Sequence, residues 1–403
     1  MGRRAGSALG AAECKGAGIL GEGSSLQKVA QGVWKTSYEA LCPKETTPPV
    51  VKYEPSGSGI GLNTWGASGL TTLKNAKGEL VHFVGTDDAP TNGQIASIGK
   101  SFENTHKGAS ANVAVIPVTQ TAVSIIAHPP SGCTVENILN EDLERVFAGQ
   151  IKKWSEIDGA KGGASCEKAI ERVVRSDGSG TTYQLKHYFF TINGTALACT
   201  AGALNKWDVL QPNGGPPNPN TTWPESANCS GGATATALLP EKGGSGAVAL
   251  VKKVEGTIGY AALADAKGGT VTILKVQNNG LKLGEKDTKG KPIEPFFADP
   301  NVVGVELANC GGAKYSIPGK GANLDWSGVY GSNHKIGGTT YPICTLTWIL
   351  AAEDSTLIFG ETAGLTIKEY LSHIVASKLD SNYYAPLPLE VEEAAKEAFA
   401  LVK

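Results

Sequence analysis

Arg175-Ser-Asp-Gly-Ser-Gly-Thr-Thr-Tyr-Gln184 packs an arginine, an aspartate, two glycines and four Ser/Thr hydroxyls into ten positions. Before it, Ile170-Glu-Arg-Val-Val174 reads as a strand, and after it Tyr183 to Phe190 carries the apolar spacing of a helix. The stretch is therefore a tight strand-to-helix turn. At a helix start, unpaired backbone N–H groups and the positive end of the dipole favour an anion. Glycine lets the backbone approach closely, hydroxyls add donors, and Arg175 supplies a planar fork suited to a tetrahedral oxyanion.

Three further segments share this design: Gly23-Ser-Ser25, Ser56-Gly-Ser-Gly59 and Thr86-Asp-Asp-Ala-Pro90. Taken singly, each reads as a helix N-cap or a solvated loop. Four such turns at strand ends of one chain predict a shared ligand. Around them the pattern alternates. Residues 26–41 have helical spacing, Val50 to Glu54 and Leu80 to Gly85 read as strands, and Asn137 to Phe147 as a helix. Two long β-rich runs, Ala114 to Ala127 and Tyr341 to Leu350, are candidates to cross between domains. Val248 to Val254 and Val391 to Val402 read as helices, and Thr257 to Tyr260 as a short buried strand. Strands alternating with helices predict an α/β fold. Trp207 to Gly246, rich in Gly, Pro, Asn and Thr, reads as a long surface loop.

With 403 residues the chain has room for two domains. A formal net charge of -2 gives no basic field for nucleic acid or anionic membranes. No run of 18 apolar residues is present, so nothing in the sequence predicts a bilayer-spanning helix. Arg3-Arg4 is not followed by a hydrophobic segment, which reads as a mature chain whose signal peptide has been removed. The eight cysteines are even in number and form no CxxC pair, which favours a disulfide-bonded exported protein over a zinc site. Pairing of neighbours gives 14–42, 133–166, 199–229 and 310–344. The serine-nucleophile elbow and the P-loop are absent, and the six histidines show no metal-binding spacing. Neither a cofactor nor a metal is expected.

RSDGSGTTYQ followed by an amphipathic helix resembles the signature turn of the phosphate-binding proteins of bacterial phosphate ABC transporters. Phe147-Ala-Gly-Gln-Ile-Lys-Lys-Trp154, Val254-Glu-Gly-Thr-Ile-Gly-Tyr260, Tyr341-Pro-Ile343 and Tyr383-Tyr-Ala-Pro-Leu-Pro388 are similar to further blocks of that family, in family order. The resemblance implies a two-lobed periplasmic-binding-protein-like fold with two crossover strands and an interlobe cleft. It places the crossovers near Thr119 and Thr340, with residues 1–118 plus 341–403 in lobe 1 and 119–340 in lobe 2. It further implies phosphate ligands at Ser25, Leu26, Ser58, Asp88, Arg175, Ser179, Gly180 and Thr181, with Asp177 orienting Arg175 by an ion pair. Asp87 stands where the family usually has serine and is expected to face outward; Ser24 is an alternative to Ser25. The function implied is an extracytoplasmic, monomeric receptor that hands inorganic phosphate to a membrane permease. The rival readings are a receptor for sulfate or molybdate, a phosphatase using Ser58 or Ser179, and a sensor or adhesin that binds no anion.

Overall fold

The fold was analysed in a computed structural model that describes residues 13–44, 47–193, 200–201, 204–205, 207, 221–223, 238–269, 271–278, 288–291, 296–330 and 340–403. One strand, Val113–His128, organises it. Its 16 residues are buried except for half-exposed His128, and its apolar run suits a strand covered on both faces. Val113 to Ala122 pair antiparallel with the returning strand Cys344–Ala352. Val123 to His128 pair antiparallel with Thr257–Ala262 instead. One strand thus serves two sheets.

The first sheet runs Val51–Glu54, Ile19–Gly23, Phe83–Thr86, Cys344–Ala352, Val113–His128, and its first three strands are parallel. The second continues through Thr257–Ala262 to Glu171–Arg175 and Leu238–Glu241, again with parallel neighbours. Helices flank both sheets, as parallel strands require. This is the two-lobed α/β architecture with two crossover strands that the sequence leads one to expect. The pairing of the two crossover strands shifts register between Thr347 and Trp348, a local irregularity of the kind that bends a strand and re-aims its side chains.

Most elements lie where periodicity places them. Helices span Lys28–Leu41, Gly180–Asn193 and Leu389–Phe399, and the strand Glu171–Arg175 precedes the quoted turn. Three readings differ. The expected helix from Asn137 starts only at Asn140, because Asn137–Ile138 pair with Thr272–Gln277 as a short strand. The stretch from Trp207 to Gly246 is not simply a surface loop. Its end forms the strand Leu238–Glu241 and starts the helix Gly243–Lys253. Trp207 and Trp223 from the same stretch are buried against Phe189 and Phe147, and Trp207 Nε1 donates to Glu144 Oε1 at 3.0 Å. Turn-forming composition marked the loop, and aromatic burial overrode it. The third difference concerns Trp326, Val329 and Tyr330, which chain order assigns to the second lobe. They pack with Leu346 and Trp348 in a core of the first, and Asn323 Oδ1 accepts the Val113 N–H at 2.8 Å.

Three of the four expected disulfides are present: Cys14–Cys42, Cys133–Cys166 and Cys310–Cys344, with Cα separations of 5.6, 5.0 and 5.8 Å. The fourth pair, Cys199 and Cys229, lies outside the described residues. No helix among the described residues is long and apolar enough to cross a membrane. Closing loops of 28 to 34 residues restricts the unfolded chain, a contribution of about 3–4 kcal/mol per bridge. Replacing Cys310 and Cys344 together with alanine should therefore lower the unfolding free energy by about 3–4 kcal/mol in a urea titration.

Candidate anion-binding cleft

Strand topology brings the four turns to one place. Ile19–Gly23 and Phe83–Thr86 are parallel neighbours, so their carboxyl ends set Ser24 beside Asp87. Ser24 Oγ donates to Asp87 Oδ1 at 2.5 Å and accepts the Leu26 and Gln27 N–H groups at 3.1 and 3.3 Å, closing the turn ahead of helix Lys28–Leu41. Ser58, at the start of helix Ser58–Thr64, accepts the Asp87 N–H at 3.1 Å and donates to Asp87 Oδ2 at 3.4 Å. From the register shift in the returning strand, Thr347 Oγ1 lies 2.8 Å from Asp87 Oδ1. Asp87, only 1% exposed, thus sits among three hydroxyls.

The second lobe answers with a cation. Arg175 Nε donates to Asp177 Oδ1 at 2.7 Å, its Nη2 donates to Asp177 Oδ2, and both side chains are almost fully buried. The Gly243 N–H adds a bond to Asp177 Oδ1 at 3.0 Å. Asp177 thus fixes one edge of the guanidinium, and Nη1 makes no hydrogen bond among the described residues. Ser179 Oγ accepts the Thr182 N–H at 3.2 Å. The N–H groups of Gly180 and Thr181, at the start of helix Gly180–Asn193, have no partner among the described residues. Those are the groups an anion at a helix N-terminus would take.

The two lobes meet backbone to backbone here. The Gly59 N–H donates to the Gly178 carbonyl at 3.0 Å. A Cβ on Gly180 would lie 2.7 Å from Asp87 Cβ and 2.8 Å from Ser58 Oγ. One on Gly57, at φ +117°, would lie 2.6 Å from Asp177 Oδ2. Glycine is required because nothing else fits between the turns.

Of the residues singled out from the sequence, Ser58, Arg175, Ser179, Gly180 and Thr181 lie around this junction, with Asp177 behind Arg175. Ser25 faces the other lobe, its Oγ accepting the Gly244 N–H at 3.4 Å, while the Leu26 N–H is taken by Ser24. The acidic turn needs correction. Asp87 does not face outward: its carboxylate is the one held by Ser24, Ser58 and Thr347 and lying in the field of Arg175. Asp88 is also buried but feels Lys186 and the Asp87 charge. Motif alignment put Asp88 in the familiar slot, but it cannot register which way adjacent side chains point. Thr347 and Gln184 also bond to Asp87, and neither is among the residues singled out from the sequence. Nothing in a buried β-rich run distinguishes one threonine from the next.

The sequence matches the PBP superfamily domain over residues 8–303, most of the chain. The chain belongs to the PBP superfamily. Among curated relatives, the Phosphate-binding protein PstS of Pasteurella multocida is 26% identical over 263 residues, 62% of this chain and 60% of that protein, so the match leaves a substantial part of that relative uncovered. The Phosphate-binding protein PstS of Xylella fastidiosa (strain Temecula1) is 22% identical over 385 residues, covering 94% and 84% of the two chains. Among solved structures, a phosphate-binding protein from Stenotrophomonas maltophilia has the same fold at a TM-score of 0.62, with 16% identity and 94% and 93% coverage.

In this PBP-superfamily chain two adjacent carboxylates, Asp87 and Asp88, are buried side by side. Burial pushes Asp87 up to about 6, opposed by its hydrogen bonds from Ser24 and Thr347 and by Arg175. Burial and the neighbouring Asp87 charge push Asp88 up to about 7, opposed by Lys186. Unfolded aspartates titrate near pH ~4, so the folded state holds the extra protons. The stability these groups contribute is full below about pH 4 and is lost as pH rises to about 7. Asp88→Asn, which cannot ionise, should be more stable than wild type by roughly 1–2 kcal/mol at pH 8, with no gain near pH ~4, in urea titrations across that range. Gly180→Ala should hold the lobes apart, giving a larger radius of gyration by X-ray scattering while the circular dichroism of the helices is unchanged.

Proposed function

We propose that this chain is an extracytoplasmic solute-binding protein that captures inorganic phosphate between its lobes and delivers it to the membrane permease of an ABC transporter. The observation that carries this reading is the convergence, at one interlobe junction, of Arg175, the N–H groups opening helix Gly180–Asn193, the hydroxyls of Ser58, Ser179 and Thr181, and the buried carboxylate of Asp87. The names of the curated relatives support it. Disulfides support an oxidising compartment, periplasmic or extracellular. A monomer suffices, since both lobes of the cleft come from one chain.

The chemistry follows from the donors. A guanidinium and oriented N–H groups replace the water around an anion without adding a full counter-charge to each oxygen. Phosphate at neutral pH keeps a proton and sulfate does not. The ionised carboxylate of Asp87 accepts that proton's hydrogen bond and repels an anion that has none to give. A buried acceptor left unpaired costs about 1–3 kcal/mol, more when charged, which is roughly a fivefold to 150-fold preference. In this reading Asp87 carries the selectivity the motif assigned to Asp88. Turnover is not part of it: Ser58 Oγ accepts the Asp87 N–H and Ser179 Oγ accepts the Thr182 N–H, so each hydroxyl is held in place as a donor rather than freed as a nucleophile.

Titration calorimetry at neutral pH on protein unfolded and refolded to strip carried ligand tests the proposal. Wild type and Asp88→Asn should bind phosphate and reject sulfate, whereas Asp87→Asn should lose roughly tenfold or more of that discrimination. A stripped wild type that binds neither anion would overturn the phosphate reading. Release of a chromogenic alcohol from a phosphate ester, abolished in Ser58→Ala, would favour the phosphatase instead.

A further inference from the structure

We propose that Gln184 is a positioning residue: it clasps the cleft shut over the anion, setting how fast the anion leaves rather than which anion enters. The inference rests on the phosphate reading above and extends it to a residue that touches no anion.

Gln184 rides on helix Gly180–Asn193, one turn beyond the residues that face the anion, and is 4% exposed. Both of its amide N–H groups reach across the junction. Nε2 donates to the backbone carbonyl of Asp87 at 3.0 Å and to the hydroxyl of Tyr330 at 3.1 Å. The first acceptor belongs to the residue whose carboxylate lies in the field of Arg175. The second is anchored on the returning crossover strand, because Tyr330 Oη accepts the Leu346 N–H at 3.0 Å and lies 3.1 Å from Thr345 Oγ1. Leu346 adjoins Thr347, where the register shift aims a hydroxyl at the same Asp87 carboxylate.

One amide therefore ties a second-lobe helix to the anion-facing residue and to the strand about which the lobes would turn. The neighbouring residue joins the same contact: Tyr183 is buried among first-lobe residues such as Trp65 and Trp348. Parting the lobes withdraws the helix, so both Gln184 bonds break together and leave the Asp87 carbonyl without this donor. Buried acceptors resist that loss. Closure is thereby favoured in steps: the anion draws Arg175 and Asp87 together, and Gln184 then latches the backbone behind Asp87. The bonds form only on closure, so they slow departure and leave encounter unchanged.

Stopped-flow binding of phosphate to wild type, Gln184→Met and Tyr330→Phe separates these roles. Methionine keeps the length of the side chain and removes both donors. Gln184→Met should release phosphate about 10- to 100-fold faster, with an unchanged association rate and an unchanged preference for phosphate over sulfate. Tyr330→Phe should show a smaller acceleration, and the double variant less than the product of the two. The thermal midpoint of the anion-free protein should not move in Gln184→Met, because the clasp belongs to the closed state. Release at the wild-type rate overturns the inference and leaves phosphate binding standing. A variant whose anion-free form melts lower, or whose anion preference relaxes, also overturns it, since Gln184 would then be serving the core or the anion itself. A wild type that binds no phosphate overturns the functional reading and this inference with it.

Discussion

The Arg175–Asp177 pair lies almost wholly out of water, with side-chain exposures of 1% and 3%, and a charge in that position persists only when its partner and its hydrogen bonds are held in place. Removing one member of such a pair typically costs about 3–5 kcal/mol, so the surrounding backbone is constrained to keep it. Asp177 needs the tight turn that lets its carboxylate swing back along Arg175, and the Gly243 N–H completes its acceptors. That fixes the start of one helix at Gly180 and of another at Gly243. It also leaves no room for a side chain at Gly57, whose Cβ would strike Asp177 Oδ2. The turn from the other lobe follows from the ion pair.

Opposite the pair stands a second buried charge with a different solution. Among the described residues Asp87 has no salt-bridge partner; it is stabilised by the hydroxyls of Ser24, Thr347 and Ser58 and by the field of Arg175. Hydroxyls lower the cost of ionisation without cancelling the charge, so the carboxyl remains easier to protonate than one in water. In the proposed phosphate reading, an anion that brings its own proton satisfies this carboxylate, and one that does not finds an acceptor without a donor.

The crossover strands reach the same junction as the lobe strands that end at Arg175 and Thr86. The strand Val113–His128 holds the two sheets in one register, and the returning strand Cys344–Ala352 carries Thr347 to Asp87 and Leu346 to Tyr330. Cys310–Cys344 ties the start of that returning strand to the loop region before it. Hinge, site and clasp therefore share a few consecutive residues.

The sequence alone determined the class of fold, the places where the backbone turns at strand ends, and the disulfide partners among the described residues. Each of these is local information. Glycine and hydroxyl spacing reports where a backbone must turn and which donors it offers, periodicity reports which face is buried, and neighbouring cysteines find each other across short loops. The tertiary structure decided that Asp87 lies in the field of Arg175 and Asp88 in that of Lys186, that Ser24 rather than Ser25 meets the Asp87 carboxylate, that Thr347 and Gln184 also reach Asp87, and that the stretch containing Trp207 and Trp223 belongs in part to a core. Those outcomes depend on residues brought together from distant parts of the chain. Asp87 and Asp88 follow one another just past the end of strand Phe83–Thr86, and only the packing of the whole sheet fixes what each side chain meets.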